Sequence, residues 1–174
     1  MIELDETITI LKRTPEVLDS WLSGLAVEWT EFQEAPNTFS PFDVIGHLIQ
    51  GEIHDWMPRV HHILDGNPDV AFQSFDRFAM READVGRTID ELLAEFAKRR
   101  MCNLEELQRL GLSATALSRT GTHPELGTVK LSELLAAWVV HDLSHIGQVA
   151  RVMARRYGDE VGPWVSYLPI LGSV

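Results

Sequence analysis

The chain has 174 residues, of which 45% are hydrophobic and 24% charged, as in an ordinary globular domain. Its 26 acidic residues outnumber 15 lysines and arginines, and the net charge of −11 argues against general binding to nucleic acid or to anionic membranes. The single cysteine, Cys102, excludes an internal disulfide framework and any multi-cysteine zinc or iron–sulfur site. A metal site would therefore have to use histidine and carboxylate ligands.

Length and composition predict a single domain over residues 1–174, large enough to bury a core without disulfides. The first residues show no basic stretch followed by an apolar one, so no secretory signal is visible. The longest apolar run, Leu134 to Val140, is far shorter than the roughly 20 residues of a membrane-spanning helix. We therefore expect a cytoplasmic protein that binds neither nucleic acid nor membrane.

Helical periodicity predicts the first two helices. The first runs from about Glu6 to Leu25, and Pro15 marks a kink or a restart within it. The second begins after Ser40, a good N-cap, and ends near Leu64. Pro58 lies inside this second helix and predicts a kink one turn earlier.

The second half of the chain predicts two more helices, over Thr88 to Leu110 and Leu131 to Tyr157. Each is followed by a glycine, Gly111 or Gly158, as helix ends often are. Because no stretch shows the alternation typical of a sheet, we expect an all-α fold, an antiparallel four-helix bundle.

Two segments outside the helices are unusually apolar. The loop between helices two and three, residues 66–87, is too long for a hairpin and contains phenylalanines, so we expect it to pack back on the bundle, over a site. The tail from Gly162 to Leu171 is also apolar. It predicts docking on its own bundle or on a second copy, and we expect a homodimer.

The predicted fourth helix carries His141 and His145, four residues apart. This spacing places both imidazoles on one face, where they can bind one metal ion. The motif alone is weak, and two partly buried histidines satisfied by hydrogen bonds across the bundle explain the spacing about equally well. A third ligand must come from another helix.

Helix two offers three histidines at intervals of seven, His47, His54 and His61. On a helical wheel its apolar side lies nearly opposite His47, which predicts that His47 faces solvent or the mouth of the bundle. For His54 and His61, and for their neighbour His62, a solvated position is the better prediction.

Other polar residues on these helices are candidates for supporting roles. Glu52 and Gln148 are candidate catalytic residues, and Glu52 is also a candidate fourth metal ligand beside water or substrate. Asp142 lies on the apolar stripe of helix four, so we expect it to meet an arginine or histidine of a neighbouring helix. Cys102 has no basic or histidine partner in sequence, and we expect a buried, inert thiol.

Three segments together resemble the DinB/YfiT-like superfamily: Gly46-His47-Leu48-Ile49-Gln50-Gly51-Glu52, Thr120 to Gly127, and Trp138-Val139-Val140-His141-Asp142-Leu143-Ser144-His145-Ile146-Gly147-Gln148. The resemblance spans essentially the whole chain. One histidine of helix two and a His-x-x-x-His of helix four recur in the order and separation typical of that family.

The resemblance implies a four-helix bundle, usually dimeric, in which three histidines bind a divalent metal at one end. Transferred to this chain, the ligands are His47, His141 and His145, and an open, cup-shaped site lets His47 reach the metal despite its place on the wheel. Characterised relatives include enzymes that use a low-molecular-weight thiol.

These observations lead to one hypothesis with two alternatives. We expect an enzyme in which zinc or nickel activates a small-molecule thiol or water toward an electrophilic small-molecule substrate, since three neutral imidazoles leave the ion its charge and open positions. The alternatives are a metal-dependent hydrolase with the same ligands and a non-enzymatic, stress-related metal- or ligand-binding bundle.

Overall fold

The computed structural model describes residues 3–172 and confirms the helical bundle. In chain order the elements are α1 (Leu4–Leu22), α2 (Val27–Thr30), α3 (Pro41–His54), α4 (Trp56–Asp65), α5 (Met80–Ala83), α6 (Ile89–Arg109), α7 (Ala114–Leu117), β1 (Thr120–His123), β2 (Gly127–Lys130), α8 (Leu131–Arg155) and two 3₁₀ turns, Gly162–Tyr167 and Pro169–Leu171. The bundle consists of α1, α3 with α4, α6 and α8. No helix within residues 3–172 has the length and hydrophobicity to cross a membrane.

The second bundle helix has the predicted start and the predicted break. Ser40 caps it, because its hydroxyl accepts from the Asp43 N–H at 3.1 Å while the Asp43 carboxylate accepts from the Ser40 N–H at 3.0 Å. The helix is interrupted at Asp55, about one turn before Pro58, where α3 ends and α4 begins.

The order of the helices around the bundle is not sequential. Both α1 and α3 pack mainly against α6 and α8, so α1 and α3 lie diagonally opposite each other, and α6 lies opposite α8. Diagonal connections must cross an end of the bundle, which accounts for the long links from α1 to α3 and from α6 to α8. The link from α4 to α6 joins two neighbouring members of the bundle, so crossing an end of the bundle does not account for its length.

That link, residues 66–88, packs back on the bundle as predicted. Phe72 and Met80 are buried in it, and the Phe72 N–H donates to the carbonyl of Thr122 at 2.9 Å. Two glycines make room for it: a Cβ on Gly121 would lie 2.7 Å from the Phe72 ring, and one on Gly46 would lie 2.9 Å from Met80.

The all-α prediction is confirmed, and one small sheet that no sequence pattern indicated is added to it. β1 and β2 form an antiparallel hairpin in which Gly121 pairs with Val129. Its strands have four residues each, too few for a recognisable alternation, and they are stabilised by pairing and by the loop packed against them rather than by a hydrophobic face of their own.

Pro15 lies inside α1 without ending it. A proline lacks the N–H that would bond the carbonyl four residues back, so the carbonyl of Leu11 needs another donor. Arg100 of α6 supplies it, with Nη1 2.9 Å from the Leu11 oxygen. The proline therefore leaves no buried carbonyl unsatisfied at this point.

Two predictions for exposed segments had different outcomes. The prediction of a buried Cys102 was wrong, because this residue lies on the solvent side of α6 and is exposed.

In the tail, the turn Pro169–Leu171 docks on α8, and Arg155 donates to the Gly172 carbonyl at 3.1 Å. The preceding turn leaves Trp164 and Tyr167 exposed, at 70% and 78% of their surface.

Candidate metal centre

Three histidines from two helices meet between α3 and α8. Nε2 of His141 lies 3.2 Å from Nε2 of His47 and 3.2 Å from Nε2 of His145. One ligand atom from each residue lies within 4.8 Å of the others. The structure thus brings together the three residues that the family resemblance implies as metal ligands.

Hydrogen bonds to Nδ1 of His47 and of His145 determine which nitrogen of each ring carries the proton. Nδ1 of His47 lies 3.3 Å from the backbone carbonyl of Arg77, and Nδ1 of His145 lies 2.9 Å from Oε1 of Gln148. Since both oxygens only accept, each Nδ1 carries the proton and each Nε2 of these neutral rings has a free lone pair. Two lone pairs therefore point toward the Nε2 of His141.

Near neutral pH neither His47 nor His145 binds a second proton, so both lone pairs remain. Burial, followed by the charges of the other two histidines, lowers the pKa of His47 to about 3. Burial and the charge of His141 lower the pKa of His145 to about 4. Both rings are neutral at pH 7, so a hydrogen bond to His141 satisfies at most one lone pair well.

A divalent cation fits these nitrogens. A metal–nitrogen bond of about 2.1 Å separates two ligand nitrogens by about 3.4 Å at a tetrahedral ion and by about 3.0 Å at an octahedral one. The two distances of 3.2 Å lie between these values. The donor set of three imidazoles suits zinc, nickel and related ions, and it leaves coordination positions open.

Comparison with known proteins gives the family and the fold of the chain. The model of the DinB superfamily matches residues 10–149. This chain belongs to the DinB superfamily. No curated protein matches it. Among solved structures it is similar to YfiT from Bacillus subtilis, with a TM-score of 0.75 and 19% identity over 90% of each chain, and that protein is described as a probable metal-dependent hydrolase with an unusual four-helix bundle topology.

In this DinB superfamily member, His47 does not face solvent, which was one of the two positions that the helical wheel predicted. His47 is buried, with 6% of its surface exposed. The link between α4 and α6 covers the side of α3 that a bare helix would expose, and it places Phe75 5.4 Å from the His47 ring. Phe39, which precedes α3, lies 5.5 Å from the same ring. A wheel considers one helix at a time and misses such a cover.

A second polar cluster lies beside the histidines. Arg100 donates hydrogen bonds to Asp142 from both of its terminal nitrogens. Its Nε and Nη2 also donate to Oε1 of Glu52, at 3.0 and 2.8 Å. The prediction that Asp142 meets an arginine or histidine of a neighbouring helix is confirmed. Oδ1 of Asp142 also lies 4.0 Å from Nδ1 of His141, so the two clusters are adjacent but no hydrogen bond joins these two atoms.

The two catalytic candidates occupy different positions. Gln148 contacts the histidine centre directly, because it accepts from Nδ1 of His145. Glu52 is fully occupied elsewhere: Arg100 binds one carboxylate oxygen, and Asn103 donates to the other at 2.9 Å. Burial raises the pKa of Glu52, and this residue connects with the histidines only through Arg100 and Asp142.

The remaining histidines of the second bundle helix lie apart from the centre. His54 is exposed, His61 pairs with Glu106 at 2.8 Å, and Nε2 of His62 lies 2.8 Å from the carbonyl of Val70. The predicted solvated position holds for His54, whereas the other two are partly buried.

Sequence reasoning missed Arg100, although a signal was present. Arg100 stands four residues from Phe96 and four from Leu104, on the same stripe that buries both. A charged residue on an apolar stripe of one helix and another, Asp142, on the stripe of a second helix indicate a buried ion pair.

Proposed function

We propose that this chain is a divalent-metal-dependent enzyme whose ligands are His47, His141 and His145, and that it activates a small nucleophile, water or a thiol. The observation that carries the proposal is the convergence of three Nε2 atoms, two of which have their lone pairs fixed by hydrogen bonds on the opposite nitrogen. Such a centre supplies Lewis acidity, which lowers the pKa of a bound water or thiol toward neutrality.

The residues around the centre have separate roles in this proposal. The Arg77 carbonyl and Gln148 hold the rings of His47 and His145 in one tautomer and one orientation. The carboxylate of Asp142 lies 4.0 Å from Nδ1 of His141 and contributes a negative charge beside the third ring. Phe39, Phe75 and Trp56 pack against the histidine rings and exclude water from their buried side.

Water and thiol are both retained as nucleophiles. Hydrolysis draws support from the structural likeness of this chain to YfiT, which is described as a probable metal-dependent hydrolase. Thiol transfer draws support from the donor set, because zinc and nickel bind thiolates well. The chain's own thiol does not compete, since exposed Cys102 lies in a different part of the structure, on α6. A thiol co-substrate fits a reducing compartment, and we place the protein in the cytoplasm.

Elemental analysis of the untagged protein tests the ligand assignment. We expect about one zinc or nickel per chain in the wild type and none after His145→Ala. His54→Ala, on the exposed side of α3, is the matched control and keeps the metal. Full metal content in the His145→Ala protein contradicts the assignment.

Turnover then separates the alternatives. With the metal-loaded protein, ester and amide hydrolysis and transfer of a small thiol to an electrophile are measured side by side, each before and after chelation of the metal. Activity that disappears with the metal supports the enzyme and identifies its nucleophile. Metal binding without turnover in either assay favours a metal-binding bundle instead.

We also propose that two copies pair through the C-terminal tail. Trp164, Val165 and Tyr167 form an exposed apolar surface, and a second copy of the same surface would cover it. Sedimentation at micromolar concentration is expected to give a dimer, and Trp164→Ser with Tyr167→Ser a monomer. A wild-type protein that sediments as a 19.6 kDa monomer contradicts this.

A further inference from the structure

Arg77 is anchored to the wall of the histidine centre at both its backbone and its side chain. Its carbonyl accepts from Nδ1 of His47. Its guanidinium lies over the rings of Phe39 and Phe78, with the central carbon 5.6 and 5.0 Å from the ring centroids. Phe39 in turn contacts the ring of His47, so the same aromatic side chain touches both the guanidinium and a metal-ligand candidate.

The charge of Arg77 has no carboxylate partner within residues 3–172. Several other arginines of the chain are ion-paired, as with Arg59 and Asp55 or Arg151 and Glu34, whereas Arg81 in the same link donates to a backbone carbonyl. The nearest acidic residue in sequence, Asp76, uses its carboxylate to accept from the Phe78 N–H. The positive charge of Arg77 also reaches the centre, because it is among the causes that lower the pKa of both His47 and His145.

We propose that Arg77 binds an oxyanion, a carboxylate or phosphate group, on the molecule whose reacting atom lies at the three histidines. A guanidinium offers two parallel N–H donors to such a group, and cation–π contact with aromatic rings holds the side chain without using those donors. Arg77 is exposed and therefore accessible to a ligand. The inference rests on the proposed metal-dependent function and narrows its substrate or co-substrate to small acidic molecules.

The overall charge of the protein makes such a group useful. A net charge of −11 repels small anions, and an exposed cation whose charge acts on His47 and His145 offsets this repulsion near the centre. An uncharged analogue of the same size gains nothing from Arg77. The structure therefore predicts discrimination by charge at this position.

Two thiols of equal length test this discrimination: 3-mercaptopropionate, which carries a carboxylate, and 3-mercapto-1-propanol, which does not. Their binding to the zinc-loaded protein is measured by isothermal titration calorimetry, for the wild type, Arg77→Gln and Arg81→Gln. Arg81 is the matched control, because its guanidinium contacts the same Phe78 ring but donates to the carbonyl of Asn37.

We expect the wild type and Arg81→Gln to bind the carboxylate thiol about tenfold or more tightly than the alcohol, as a charged hydrogen-bonded pair allows. Arg77→Gln is expected to bind both thiols equally and to keep the wild-type affinity for the alcohol. An undiminished preference in Arg77→Gln, no preference in the wild type, or an equal loss in Arg81→Gln overturns the proposal.

A failure of the metal function is separable from a failure of the anion site. If the wild type holds no metal or binds neither thiol, inorganic phosphate is titrated into the metal-free proteins. Weaker phosphate binding in Arg77→Gln than in the wild type and Arg81→Gln keeps the anion site. Equal binding in all three proteins overturns it.

Discussion

Two polar clusters lie side by side in this bundle, one buried and one half-buried, and they differ in how their polar atoms are satisfied. In the cluster of Arg100, Glu52 and Asp142, the guanidinium makes five hydrogen bonds to three acceptor groups of the protein itself. In the cluster of His47, His141 and His145, nitrogen atoms point at one another without enough protons to bond them. The first cluster is complete without a ligand, and the second needs one, which is how buried structure and a binding site can be told apart.

The largest effect should follow removal of the cation from the complete cluster. Arg100→Leu leaves two carboxylates buried against each other, and breaking a buried pair in this way costs about 3–5 kcal/mol. Urea denaturation of the metal-free protein measures it. Arg99→Leu, next in sequence but on the exposed side with Glu95, is the control and should cost under about 1 kcal/mol. Similar losses in both variants would mean that the cluster is not structurally important.

The histidine cluster should gain stability when zinc is supplied, whereas the Arg100 cluster loses stability when its cation is removed. Zinc at a hundred times its dissociation constant is expected to raise the free energy of unfolding by about 2.7 kcal/mol, because the folded state alone presents the three nitrogens together. The same addition to His141→Ala should have no such effect, although that variant folds without metal. Stabilisation of both proteins by an equal amount would place the bound zinc elsewhere.

The sequence predicted the parts of this molecule that depend on one helix at a time. Periodicity and capping located α3, α6 and α8 to within a few residues, and the break before Pro58 followed from proline chemistry. The three histidines required the family resemblance, because spacing alone left hydrogen-bonded histidines as a strong alternative. The burial of His47 depends on a loop that folds over α3, and no pattern within α3 records that contact.

The same limit explains the other omissions. Arg100 binds groups from α1, α3 and α8, and only the unusual diagonal order of the helices brings all three to one point. Arg77 acts through a backbone carbonyl and two ring contacts, none of which has a sequence pattern. Contacts of this kind come from tertiary packing, which residue spacing along one chain segment does not determine.

Gln148 tests whether the histidine centre relies on its surroundings for orientation. Gln148→Leu removes the acceptor for Nδ1 of His145 and frees that ring to change tautomer, so metal affinity should fall about 10–100-fold. Gln148→Glu keeps an acceptor at the same position and should restore the affinity. Competition with a chromophoric chelator measures all three proteins. A loss that the glutamate variant fails to recover would point to a packing effect instead.

Acidification of the metal-free protein provides the mildest test, because it acts on the incomplete cluster while Arg100 keeps its charge. The pKa values of His47 and His145, about 3 and about 4, lie below the ordinary value near 6.5 that both regain on unfolding. Between these values the unfolded chain binds protons that the folded chain does not, so the stability present above pH 6.5 is lost as the pH falls through this window. From pH 7 to pH 6 the loss should be about 1.4 kcal/mol for the two residues together. His145→Gln should reduce this dependence of stability on pH, and the exposed His54→Gln should leave it unchanged. Equal pH profiles for the wild type and His145→Gln would show that the folded protein does not suppress protonation at this centre.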